Sequence, residues 1–395
     1  MAKSKQKSLL DDIQKETGGQ SLKLAGEVPY YINTGNLSLN YICSGKFITG
    51  GIPGGRITEC YGPPASAKSL WGYSCLGSVQ RIGGIGVLLD CERASGAEFA
   101  STAGHVNCDE LIVYEPNCYE HLEAKVKVAT KAIRKHYGLD KPILFVLDSI
   151  GVVSCEREWK ELDLPENPTA TDIKNAGGNQ RPGERAKAAG DFLRKINPFL
   201  NEQNATMFVI NQTRNAIGVM FGSPEIPAGG GEALKFYASC RLRTSVGKYI
   251  ETKGGLPLGI NLNFANKKSR SFIPGLKTTG VQLFFQEGVN PLGGLLSILL
   301  QSGRIELSGR GRYKVLEPWA DGKEYVFTSS QARNDVPLDL LLETPKVVDA
   351  KNQEEVLEWL KPYEGAIKLA TGDDLVEKQA DEDPEFISEL KSEEE

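Results

Sequence analysis

With 395 residues, 40% of them apolar and 25% charged, the chain has the composition of an ordinary globular protein, long enough for roughly two to three domains. No apolar run approaches the ~20 residues of a membrane span, and the charged first fifteen residues lack a secretory signal's apolar core, so a cytoplasmic protein with no membrane partner is expected. Three histidines and eight cysteines without a CxxC pair argue against a zinc site, and the net charge of −5 conceals an acidic end: residues 372–395 carry eleven Asp/Glu against two Lys.

In chain order, the first informative element is a strand-like run at 56–61. It leads into Gly62-Pro63-Pro64-Ala65-Ser66-Ala67-Lys68-Ser69, and a helix-like run beginning Ser69-Leu70-Trp71 follows. Strand, small-residue loop, Lys-Ser and helix is how a protein wraps nucleotide phosphates in backbone N–H groups. The helix start adds its positive end, Lys68 can reach the β/γ-phosphates, and the Ser69 hydroxyl can ligate Mg²⁺. Ala67 stands where a second glycine is usual. Alanine takes a positive φ only at a cost, which predicts a slightly altered path for the loop.

A strand expected at 84–90 ends in Asp90-Cys91-Glu92, two carboxylates on one side of the strand. Glu92 could orient water for attack on a γ-phosphate, or the pair could simply cap the following helix in solvent. Further strands are expected at 111–114, 143–148, 205–211, 236–244, 260–265 and 280–285, with helices at 119–136 and 184–200. The 143–148 run is apolar until Asp148, the form of a strand whose carboxylate sits near Mg²⁺. The 205–211 run ends in Asn211-Gln212. That Gln could sense a γ-phosphate and pull on the next loop, or could form an ordinary turn.

Apolar strands alternating with helices predict an α/β fold with a mostly parallel central sheet, ligands lying at the strands' carboxyl ends. Two long polar, Gly/Pro-rich stretches, 154–182 and 213–232, interrupt the alternation directly after strands that should end at the nucleotide. Loops of that length in a compact domain are functional or disordered. Beyond about 286 the texture changes to shorter amphipathic pieces with Arg304, Arg310, Arg312 and Lys314, which reads as a small second domain.

The segment Asn211-Gln212-Thr213-Arg214-Asn215-Ala216-Ile217-Gly218-Val219-Met220-Phe221-Gly222-Ser223-Pro224-Glu225, with Ala233-Leu234-Lys235-Phe236-Tyr237-Ala238-Ser239, closely resembles bacterial RecA recombinases. So do Thr34-Gly35-Asn36-Leu37-Ser38-Leu39 and residues 50–62. The looser phosphate loop and Lys268-Ser269-Arg270 look more like the phage recombinases of the UvsX type. The resemblance runs in order from about residue 11 to 311.

It implies a RecA-type P-loop ATPase core at 36–285 behind a short N-terminal polymerisation segment at 1–35. A small α+β C-terminal domain at 286–365 and an acidic disordered tail at 366–395 would follow. ATP and Mg²⁺ are the implied cofactors. The resemblance assigns the nucleotide to residues 62–70 (Gly62 to Leu70), with Lys68, Ser69 and Asp148 at phosphate and metal, Glu92 as catalytic carboxylate, Gln212 as sensor and Phe99 against the adenine. Gly96 replaces a polar residue of the family there. Lys187, Arg194, Arg214, Ile217, Gly218, Val219, Met220 and Phe221 would meet single-stranded DNA, cations on phosphates and apolar groups between bases. Leu22, Lys235 and Phe236 would lie at the subunit interface, and Lys267, Lys268 and Arg270 would complete a neighbour's site as trans cations.

The implied function is ATP-dependent homologous pairing and strand exchange by a head-to-tail helical filament on single-stranded DNA, which also engages double-stranded DNA. Single-stranded-DNA-binding and mediator proteins are the implied accessory partners, in a bacterial or phage-infected cell. A ring-forming helicase or motor on the same fold and a non-catalytic DNA-binding mediator are the alternatives.

Overall fold

Strict alternation of side chains sorts the central strands onto two cores. In the strand Ile143–Asp148, Leu144 and Val146 face one apolar cluster while Ile143, Phe145 and Leu147 face the other, all fully buried. Ala205–Asn215 splits likewise, Phe208 and Ile210 to one side, Met207 and Val209 to the other. Such strands need cover on both faces, which is why helices flank them. In this computed structural model, residues 11–19, 26–160, 169, 183–215, 225–227, 229–320, 322, 324–328, 357–370 and 375–379 are described.

The strands are β1 (Tyr31–Ile32), β2 (Ile52–Pro53), β3 (Ile57–Gly62), β4 (Ile85–Asp90), β5 (Ile112–Tyr114), β6 (Ile143–Asp148), β7 (Ala205–Asn215) and β8 (Glu225–Pro227). They continue with β9 (Cys240–Thr252), β10 (Pro257–Ser269), β11 (Lys277–Phe284), β12 (Gly288–Val289), β13 (Ile305–Gly309), β14 (Arg312–Val315), β15 (Val326–Thr328) and β16 (Leu375–Gln379). The main sheet runs β12-β11-β10-β9-β3-β7-β6-β4-β5. From β9 to β5 every neighbouring pair is parallel, and from β9 to β12 antiparallel. The core is thus the expected α/β fold with a mostly parallel central sheet. The helices Tyr119–Tyr137 and Glu184–Glu202 cover one face through Leu122, Val126, Phe192, Leu193 and Ile196, and Lys68–Arg81 covers the other through Leu70, Trp71 and Leu76.

Several elements differ from the sequence-based reading. The strand expected at 236–244 begins only at Cys240, because Gly231–Tyr237 forms a short helix that carries Lys235 and Phe236. The strand expected at 260–265 spans Pro257–Ser269, since β-pairing with β9 continues past the last apolar residue. Residues 295–327 share the apolar cluster of the sheet through Leu295, Ile298, Leu299, Ile305, Val315 and Phe327. Within the stretch expected as a disordered tail, Glu364–Ala370 is helical and Leu375–Gln379 pairs antiparallel with β9 from Lys248 to Thr252. That pairing covers the part of β9 that extends beyond β3.

Candidate nucleotide site and its surroundings

Parallel register alone brings the key positions together. Gly62, ending β3, lies opposite Gln212 of β7, and Asp90, ending β4, lies opposite Asp148 of β6. The carboxyl ends of four adjacent strands therefore open onto one place, as an α/β sheet requires of its ligand site.

The phosphate loop begins at Gly62, where a Cβ would sit 2.2 Å from the Thr244 carbonyl oxygen, so only glycine fits. Ala65 and Ala67 both adopt the left-handed conformation, with φ of 59° and 55°. The substitution at 67 is thus accommodated by strain, since Ala67 takes the backbone form that glycine adopts freely. Ala67 caps the Lys68–Arg81 helix without any side-chain hydrogen bond, which leaves the first-turn N–H groups to an anion. Pro64 and Ala65 are exposed, and Leu70 is buried in the core.

Lys68 is buried and folded back on the loop: its Nζ donates to the Pro63 carbonyl at 2.5 Å and to Ser66 Oγ at 3.2 Å. Those acceptors stand in for the phosphate oxygens a lysine here is suited to bind. The Asp148 carboxylate is hydrogen-bonded to Ser69. Burial, with Glu92 and Asp90 nearby, pushes it up to about 6 against the lowering effect of Ser69 and Lys68. A carboxylate this reluctant to ionise is one that a cation would stabilise. Among the described residues no group of three His, Cys, Asp or Glu is placed to hold a metal ion by itself, and a divalent ion here would draw on Ser69, Asp148, phosphate oxygens and water. The residues present fit Mg²⁺.

Glu92 is exposed just past β4, on a turn fixed by buried Asp90, whose two oxygens accept the N–H groups of Arg93 at 2.8 Å and Ser95 at 3.1 Å. Glu92 Oε1 accepts from Ser149 Oγ at 2.5 Å and from Gln212 Nε2 at 3.0 Å. Candidate base and candidate sensor are therefore in direct contact. Phe99, on the Ala97–Gly104 helix, is 41% exposed and meets the Tyr73 ring edge-on at 6.4 Å.

A second group gathers at the end of β10. Lys268 Nζ donates to the carbonyls of Lys235 at 2.5 Å and Phe236 at 2.9 Å, and Arg270 Nη2 donates to Phe236 at 2.8 Å. These carbonyls end the Gly231–Tyr237 helix, where cations are favoured. Lys235 pairs with Glu232 at 2.6 Å, Phe236 is 68% exposed, and Lys267 is an exposed residue of the strand. Within one chain these cations bond to their own helix end.

Of the expected DNA contacts, Lys187 and Arg194 are exposed on the Glu184–Glu202 helix, two turns apart and so on one side, with Arg194 paired to Asp191 at 2.8 Å. Arg214 is exposed near the end of β7. Ile217, Gly218, Val219, Met220, Phe221 and Leu22 lie outside the described residues. Asp90 and Asn211, expected from sequence only as a possible helix cap and turn, support the site. Ser149, Glu59 and Arg241 also belong to it or its supports, where sequence reasoning gave them no role. Only Ser149, directly after the strand-ending Asp148, carried a positional signal.

Comparison with known proteins points to one family. Residues 5–290 match the family model described as RecA N-terminal domain. Protein RecA of Thermus aquaticus is 28% identical over 366 residues, covering 90% of this chain and 99% of the relative. Protein RecA of Lactococcus lactis subsp. cremoris is 33% identical over 304 residues, 75% of this chain and 71% of the relative. Protein RecA of a Nocardioides species is 32% identical over 305 residues, 76% and 79% of the two chains.

Proposed function

Because the chain belongs to the RecA family and is a RecA-type recombination and repair protein, we propose that it hydrolyses ATP at subunit interfaces of a helical filament on single-stranded DNA and catalyses homologous pairing and strand exchange. The observation that carries this reading is the convergence of Lys68, Ser69, Glu92, Asp148 and Gln212 at four neighbouring strand ends.

The nucleotide's phosphates would lie along residues 62–70, Lys68 exchanging Pro63 and Ser66 for phosphate oxygens, with the adenine near Phe99. Mg²⁺, held by Ser69 and near Asp148, would offset phosphate charge. Glu92, once released by Ser149 and Gln212, would take the proton of the attacking water. Gln212 would turn to the γ-phosphate and, lying in β7, carry that change along the strand into Arg214 and residues 216–224. Lys268 and Arg270 would leave their own helix end for the phosphates of a neighbouring subunit, where trans cations are worth ~10³–10⁵ in rate.

The test is phosphate release with and without single-stranded DNA. DNA-stimulated turnover that disappears in Lys68→Ala supports the reading. DNA binding without hydrolysis by the wild type refutes it and favours a non-catalytic mediator.

A further inference from the structure

The interior of the main sheet holds a carboxylate that the nucleotide reading leaves without a task. Glu59 sits in β3 between β7 and β9 and is 1% exposed. A carboxylate so placed is costly unless paired and hydrogen-bonded. It is satisfied from both sides: Arg241 Nε of β9 donates to Oε2 at 2.5 Å, and Asn211 Nδ2 of β7 donates to Oε1 at 2.9 Å.

Each donor leads to a different functional group. The Asn211 amide also grips Gly229, its Nδ2 donating to the carbonyl and its Oδ1 accepting the N–H, both at 3.0 Å. Gly229 is itself wedged, since a Cβ there would lie 2.7 Å from the Gly151 backbone. Asn211 thus fixes where the chain returns after β8, and its neighbour Gln212 holds Glu92. On the other side, Arg241 lies over the Tyr61 ring at 4.8 Å and stands opposite Lys268 in the β9–β10 ladder. Burial, Arg270 and Arg241 lower the Lys268 pKa, and the Glu59 charge opposes them.

We propose that Glu59 is a positioning residue that couples the sensor strand, through Asn211 and Gln212, to the interface cations Lys268 and Arg270, through Arg241. The proposal rests on the ATPase reading above. A single carboxylate shared by two donors makes the two strands' polar groups interdependent: a shift of Asn211 alters how Arg241 is held, and with it the field at Lys268. Hydrogen bonds join Asn211, Glu59 and Arg241; Gln212, bonded to Glu92, is the chain neighbour of Asn211, and Arg241 stands opposite Lys268 in the ladder. Nucleotide state in one subunit is thereby linked to the cations that subunit offers its neighbour.

The experiment measures steady-state ATP turnover with single-stranded DNA on the full-length chain, and the binding of a fluorescent ATP analogue separately. Glu59→Gln is expected to lower DNA-stimulated kcat about tenfold or more while KM and analogue affinity stay within about threefold. Arg241→Lys, which keeps the cation, is expected to retain most of the rate. Glu59→Gln/Arg241→Gln is expected to be no slower than Glu59→Gln, since both remove one coupling. Unchanged kcat in Glu59→Gln overturns the proposal, and so does a loss confined to KM or analogue binding. If Glu59→Gln does not fold, Asn211→Ser cuts the other arm, and a wild-type kcat there overturns it equally. A wild-type chain without DNA-stimulated turnover would instead refute the ATPase reading itself.

Discussion

Gln212 and Glu92 share a hydrogen bond, Nε2 donating to Oε1 at 3.0 Å, so the candidate sensor restrains the candidate base in this conformation. Ser149 Oγ holds the same oxygen. Both donors hold Oε1 and so fix how the Glu92 carboxylate is turned. Gln212→Ala removes one restraint but also the link to β7. Its expected outcome is nucleotide binding near that of wild type with DNA stimulation reduced by about 10–10². Full DNA stimulation in this variant would show that Gln212 transmits nothing.

Ala67 holds a left-handed φ of 55° that costs a non-glycine residue ~1–2 kcal/mol. Glycine loses part of that gain through its freer unfolded chain, ~0.4–1 kcal/mol. Ala67→Gly is therefore expected to stabilise the nucleotide-free protein by about 0.5–1 kcal/mol in urea unfolding, with ATP binding retained. A destabilised Ala67→Gly would mean that the alanine methyl contributes more through packing than its backbone costs.

His105 supplies a pH test. It ends the Ala97–Gly104 helix, packs edge-on against Tyr363 at 5.2 Å, and has a buried Nε2 without a hydrogen-bond partner. Burial first, then Arg81, which donates to the Tyr363 hydroxyl at 2.8 Å, lowers its pKa. A histidine held neutral in the folded state binds fewer protons there than in the unfolded chain. Its contribution is thus present at neutral pH and lost as pH falls through the ordinary histidine value of about 6.5. Between pH 7.5 and 5.5 the Tm of His105→Asn should decline less steeply than that of wild type. Parallel declines would remove His105 from the account.

The acidic end offers two separable effects. Residues 380–395 hold eight acidic side chains against one lysine, whereas β16 covers the β9 edge from Lys248 to Thr252. Removing 380–395 is expected to raise DNA affinity about three- to tenfold at low salt, the gain shrinking as salt screens it. Removing 372–395 should give the same gain and, by uncovering the β9 edge, a lower Tm as well. Affinity unchanged in filter binding at low salt would leave the tail a solvating role only.

The central sheet was legible because its strands are apolar on both faces and end in recognisable residues: Gly62, Asp90, Asp148 and Gln212. The same pattern pointed to half of the candidate nucleotide site. Apolar periodicity could not reveal the short Gly231–Tyr237 helix, too brief for a repeat, nor the polar end of β10, which is held by pairing with β9 rather than by burial. Glu59 was hidden for the same reason. A glutamate inside an apolar strand looks like a solvent-facing residue until Arg241 and Asn211, 182 and 152 positions away, are seen to meet it.

The most direct test of the account is electron microscopy of the full-length chain with single-stranded DNA and a slowly hydrolysed ATP analogue. The account predicts continuous helical filaments that coat the DNA, form only with nucleotide, and are lost in Lys68→Ala. Closed rings, or DNA coated equally well by Lys68→Ala without nucleotide, would contradict it.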